Sequence, residues 1–105
     1  MELRHLRYFV AVAEELNFRR AAARLHVSHP ALSQQIGDLE SEIGLKFFER
    51  NSRHVELTEA GRAFLSGARR TLTAAKHAIM DAKEAAQGEK WLLSARPRVH
   101  FYLRL

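Results

Sequence analysis

The chain has 105 residues, 47% of them apolar, which suits one small domain with a buried core. It holds no cysteine, excluding disulfide staples and thiolate zinc sites and suiting a reducing compartment, so a cytoplasmic protein is expected. The formal charge is +5, but Arg96, Arg98 and Arg104 supply three of those charges and residues 1–90 carry only +2, so any affinity for nucleic acid has to come from where the charges lie.

Leu3, Leu6, Val10 and Ala13 recur at helical spacing, with Phe9 and Leu16 widening the stripe, which predicts an amphipathic helix over residues 3–15. Glu2, Glu14 and Glu15 interrupt this opening stretch, so neither a signal peptide nor a membrane span is expected. Asn17 then caps a short helix whose buried side is Phe18, Ala21, Ala22 and Leu25. His26 and Val27 make a tight connection. Ser28 caps a third helix with Pro30 in its first turn, an apolar set of Leu32, Ile36, Leu39 and Ile43, and Gly44 as its stop.

From Leu45 to Thr58 the period changes to that of a strand: Phe47 and Phe48, then Val55 and Leu57, flank a polar stretch from Asn51 to His54, which predicts a small β-hairpin or wing. Thr58 caps a long helix expected to run to about Gln87 and stop at Gly88, with Gly61 and Gly67 weakening its first turns. Along it Leu65, Ala68, Leu72, Ala75, Ile79, Ala82 and Ala86 alternate at spacings of three and four, the pattern of a seam between two chains. Past Gly88 come Trp91, Leu92 and Leu93, then an alternation of Val99, Phe101, Leu103 and Leu105 that reads as one orphan strand.

The third helix carries the functional signal. Opposite its apolar stripe lie Pro30, Ser33, Gln34 and Gly37, with Ala31 at the flank and His29 opening the helix. Short or amide-bearing side chains of this kind allow a helix to enter the major groove and pair with base edges, and Gln34 is the best reader because a carboxamide bonds adenine bidentately. Between Leu16 and Gly37 there is no acid, while Arg19, Arg20 and Arg24 lie there, and the hairpin adds Arg50 and Arg53 to hold DNA backbone. No metal site or cofactor is expected, since the six histidines form no ligand cluster. No catalytic residue is expected either: the chain has no Gly-rich phosphate loop and no nucleophile elbow.

Several runs resemble one family in order along the chain: Met1 to Phe9, Ala21-Ala22 with Leu25, Val27 to Ile36, Leu39-Glu40, Phe48-Glu49-Arg50, and Leu57 to Gly61. They are similar to the N-terminal DNA-binding domain and linker helix of LysR-type transcriptional regulators. The resemblance implies an all-α fold with a small β-hairpin wing: a winged helix-turn-helix over residues 1–58, a linker and dimerisation helix over 59–88, and a non-matching tail over 89–105. It implies contacts to double-stranded DNA by His29, Pro30, Ala31, Ser33 and Gln34 in the helix and by Arg50 and Arg53 in the wing. A homodimer through the linker helix on an inverted-repeat operator is expected, with higher oligomers open. Members normally continue into an effector domain, whose opening strand the last fifteen residues do not match, so no small-molecule effector is expected. The alternative expectation is a truncated interaction module that forms inactive mixed dimers with a full-length regulator.

Overall fold

A computed structural model describes residues 1–95, and the side chains of residues 1–88. The element order is α1 (Leu3–Glu15), α2 (Phe18–Leu25), α3 (His29–Ile43), β1 (Phe48–Arg50), β2 (Val55–Leu57) and α4 (Glu59–Ala95). The chain divides into two units, Met1–Leu72 and the stretch from Thr73 onward. No helix among the described residues is long and apolar enough to cross a membrane.

The helices start where the predicted caps put them. Asn17 Oδ1 accepts the Arg20 amide at 2.8 Å and Ser28 Oγ accepts the Ala31 amide at 3.2 Å, each satisfying a donor that the helix itself leaves unpaired. Gly44 ends α3 at φ 82°, a left-handed conformation that costs glycine nothing. α1 and α2 end in the same conformation without glycine, at Leu16 (φ 49°) and His26 (φ 59°).

In the first unit the apolar stripes of α1, α2 and α3 meet around Phe9, which is fully buried. Its ring lies 5.3 Å from Phe47, 5.2 Å from Phe48 and 5.0 Å from Phe64, and Phe47 stacks on Phe64 at 4.4 Å. These offset and edge-on pairs let four rings from α1, the start of the wing and α4 share one core. Ala21 and Ala22 are buried as well, and their small side chains allow α2 to lie close to its neighbours.

An isolated two-stranded hairpin is barely stable in water, so the wing has to be anchored. β1 and β2 pair antiparallel with Phe48 opposite Leu57 and Arg50 opposite Val55. The tip closes through the Asn51 amide donating to the His54 carbonyl at 3.0 Å, and the base through the Thr58 amide donating to the Phe47 carbonyl at 3.0 Å. The Thr58 hydroxyl donates to the Lys46 carbonyl at 2.7 Å and accepts the Gly61 amide at 3.0 Å, so one residue fastens the wing and caps α4.

Two expectations for α4 are corrected. The helix does not stop at Gly88 but continues to Ala95, because Gly88 lacks the positive φ of a terminating glycine and is flanked by strong helix formers, Ala85, Ala86 and Gln87 before it and Glu89 and Lys90 after it. The residues Trp91 to Leu93 are therefore helical, and the strand-like alternation from Val99 lies outside the described residues. The seven-residue seam is also divided: Ala68 is 3% exposed and belongs to the core of the first unit, and Leu65 and Leu72 pack against that core. Further along, Ala75 is half-buried, while Ala82 and Ala86 are exposed and Ile79 is 57% exposed.

Glu14 ties three helices of the first unit together. It accepts Arg24 Nη2 of α2 at 2.7 Å and Arg69 Nη2 of α4 at 3.0 Å. The Arg24 hydrogen bond, followed by that from Arg69, holds its carboxyl below the ordinary glutamate value. A depressed carboxylate contributes stability that is present above its unfolded pKa, about 4.3, and lost as pH falls through the folded value. Urea denaturation of Glu14→Gln against the parent chain should show a stability gap that is constant near neutrality and closes below about pH 4. A gap that stays constant down to pH 3 would show that Glu14 carries no such linkage.

Candidate nucleic-acid interface

The opening turns of α3 present an exposed face. His29, Pro30, Ala31 and Gln34 are exposed and Ser33 is half-buried, while Leu32, Ile36 and Leu39 on the opposite side are in the core. Beside this face lies a cleft of about 410 Å³ between the start of α2, the start of α3 and the wing tip. Arg19, His29, Arg50, Arg53 and His54 line it, together with Asn17. Three of the predicted contact residues, His29, Arg50 and Arg53, thus come to one place from two elements distant in sequence.

Charge in space differs from charge in sequence. The stretch from Leu16 to Gly37 contains no acid, yet the C-terminal acids of α1 fold back onto it: Arg24 binds Glu14 at 2.7 Å and Glu15 at 3.3 Å, and Arg20 sits 3.9 Å from Glu15. Two of the three α2 arginines are thereby partnered. Arg19 and Arg53 form no ion pair among the described residues, and both face the cleft.

The α3 side chains are held in defined orientations. Gln34 Nε2 donates to Asp38 Oδ1 at 3.0 Å, one turn along the same helix. This leaves the second amide hydrogen and the carbonyl oxygen of Gln34 for a partner, the pair a bidentate contact with adenine requires. Ser33 Oγ accepts Arg50 Nη1 at 2.9 Å. The same guanidinium lies over the Phe18 ring at 4.4 Å and reaches to within 3.9 Å of Glu40 Oε1, leaving its side chain 29% exposed. Arg50 is thus seated against Phe18, Ser33 and Glu40.

Glu40 is the residue whose role periodicity alone does not reveal: it is 7% exposed and its Oε2 accepts the amides of Phe47 at 2.8 Å and Phe48 at 3.3 Å. The signal was its position, four residues after Ile36 and one after Leu39, on the edge of the apolar stripe. Gly61 was read as a weak point in α4, yet a Cβ there would meet the Phe47 carbonyl oxygen at 2.2 Å. It shares a helix face with Phe64 and Leu65, both packed against the core.

Known proteins share this arrangement. Residues 3–62 match the family model of bacterial regulatory helix-turn-helix proteins of the lysR family. An uncharacterised transcriptional regulator of Escherichia coli K12, YnfL, is 55% identical over 89 residues, covering 85% of this chain and 30% of its own length. The Hca operon transcriptional activator HcaR of the same organism is 51% identical over 92 residues, covering 88% and 31%. The chain thus spans about three-tenths of the length of these relatives. Among solved structures, the DNA-binding domain of CbnR in complex with DNA is 48% identical with a TM-score of 0.79, covering 82% of this chain and 99% of that one. The BenM DNA-binding domain on its catB site 1 DNA is 45% identical with the same TM-score, covering 82% and 96%. The helix-turn-helix of α2 and α3, the anchored wing and the long α4 are accordingly shared with those domains in sequence as well as in shape, and the chain belongs to the lysR family of bacterial helix-turn-helix regulatory proteins.

Proposed function

We propose that this chain is a sequence-specific DNA-binding module that places α3 in the major groove and works as a dimer on an inverted-repeat operator. The observation that carries this reading is the exposed opening of α3, with His29, Pro30, Ala31, Ser33 and Gln34, set beside a cleft that Arg19 and Arg53 make basic. The α3 side chains read base edges, and Arg19 and Arg53 hold phosphates, fixing the register of the helix on the duplex. Likeness to domains solved on DNA supports the same orientation. The exposed face of the second unit, around Ile79, Ala82 and Ala86, is where a second copy pairs, small residues allowing two helices to approach closely.

The test uses a pool of duplexes with a randomised 30-base-pair centre, selected by the purified chain and sequenced, followed by titration of the selected duplex and a scrambled one. Binding should favour the selected duplex, weaken steeply with salt as counterions are released, and saturate at two chains per duplex. Equal affinity for both duplexes would defeat the reading. Gln34→Ala should relax discrimination at one base pair by about 1–3 kcal/mol while leaving the other positions as they were.

A further inference from the structure

We propose that Arg50 is a positioning residue that fixes Ser33 as a hydrogen-bond donor and so sets the base preference at one step of the site. The inference rests on the reading role proposed for α3.

The chemistry follows from donor counting. A guanidinium has donors only, so in the 2.9 Å contact between Arg50 Nη1 and Ser33 Oγ the serine oxygen is the acceptor. That contact occupies one of the two lone pairs and turns the hydroxyl hydrogen of Ser33 away from Arg50. Without Arg50 the same hydroxyl would rotate and serve as donor or acceptor alike. With it, one lone pair remains, but the adjacent guanidinium charge disfavours a second donor there, so Ser33 prefers an acceptor, which in the major groove means a purine N7, guanine O6 or thymine O4, to the N4 amine of cytosine.

Arg50 is well suited to this role and poorly suited to gripping phosphate. Three groups hold its guanidinium: the Ser33 hydroxyl at 2.9 Å, the Phe18 ring at 4.4 Å and Glu40 at 3.9 Å. The three come from α3 and α2, so the contact also locks β1 of the wing against the reading helix. Nη1 is committed to Ser33 and the guanidinium face to Phe18, whereas Arg53 at the tip of the same hairpin forms no ion pair among the described residues.

The test compares the parent chain with Arg50→Met, which keeps a stem over Phe18 but no donor, with Ser33→Ala and with the double variant. Each selects from the same randomised duplex pool, and each is titrated with the parent's selected duplex between 50 and 200 mM salt. Arg50→Met and Ser33→Ala should flatten preference at the same single position, about fivefold for one hydrogen bond, and the double variant should be no flatter than either. The salt slope of Arg50→Met should match the parent's. A uniform loss of affinity with base preferences intact and a slope lower by about 0.9, the signature of one phosphate contact, would overturn the proposal.

A measurement on the parent chain guards against a variant that does not fold. In nitrogen-15 arginine spectra the Arg50 guanidinium protons should be shifted upfield by the Phe18 ring and should stay so when the selected duplex is added. Loss of that shift on adding the duplex would also overturn the proposal. Failure of the parent to select any sequence is a different result, and it counts against the proposed function rather than against the role of Arg50.

Discussion

Replacing Glu40 by alanine should cost about 4 kcal/mol of folding stability, which for a unit of this size lowers the melting temperature by roughly 15–30 °C. The argument begins with what Glu40 satisfies. Its Oε2 accepts two backbone amides, those of Phe47 and Phe48, in a place where the carboxylate itself is 7% exposed. Hydrogen bonds to a charged acceptor contribute about 1.5–3 kcal/mol each, and removing the acceptor strands buried N–H groups as well. Arg50, 3.9 Å from the other oxygen, loses a partner too. Glu40→Gln retains one acceptor oxygen and should cost only about half as much. Urea denaturation of both variants checks the ranking, and a Glu40→Ala loss below 1 kcal/mol would show that water replaces the carboxylate freely.

Periodicity made the helices legible, and local chemistry made their ends legible, because both kinds of signal act within a few residues. The stripe Leu32, Ile36, Leu39, Ile43 and the cap Ser28 place α3 without reference to anything outside it. Glu40 and Gly61 escaped because their meaning lies in what reaches them across the fold: the start of the wing in both cases, through the Phe47 amide and the Phe47 carbonyl. The candidate site divides along the same line. Gln34 and His29 are exposed on α3 as its helical phase dictates, whereas the seat of Arg50 depends on Phe18, thirty-two positions earlier, and could not be seen from the hairpin alone.

The seam along α4 shows why a single periodic pattern can serve two purposes. Spacings of three and four describe any helix face that is apolar, whatever covers it. Here the first part of the face packs on the core of the unit in which it lies, with Ala68 buried, and the later part, from Ile79, is exposed. Composition separates the two: the first part contains Phe64, Leu65 and Leu72, large side chains that fill a core, and the later part is mostly alanine.

Gly61→Ala should destabilise the first unit by about 3 kcal/mol, although alanine is the better helix former by about 1 kcal/mol. The added Cβ would sit 2.2 Å from the Phe47 carbonyl oxygen and 2.9 Å from Leu57 Cδ2, and the first of these is backbone, which cannot swing aside. That carbonyl accepts the Thr58 amide at 3.0 Å, and Phe47 itself is 1% exposed and stacked on Phe64 at 4.4 Å. Relieving the clash therefore means lifting α4 from the wing or displacing an aromatic core that has no spare room. Gly67 provides the control in the same helix, since a Cβ there meets only the flexible end of Arg70 at 3.7 Å. Gly67→Ala should stabilise by about 0.5–1 kcal/mol through helix propensity and a less flexible unfolded chain. The opposite signs of the two substitutions, read by urea denaturation, separate close approach from propensity; a stabilising Gly61→Ala would mean that α4 and the wing do not meet as tightly as the structure places them.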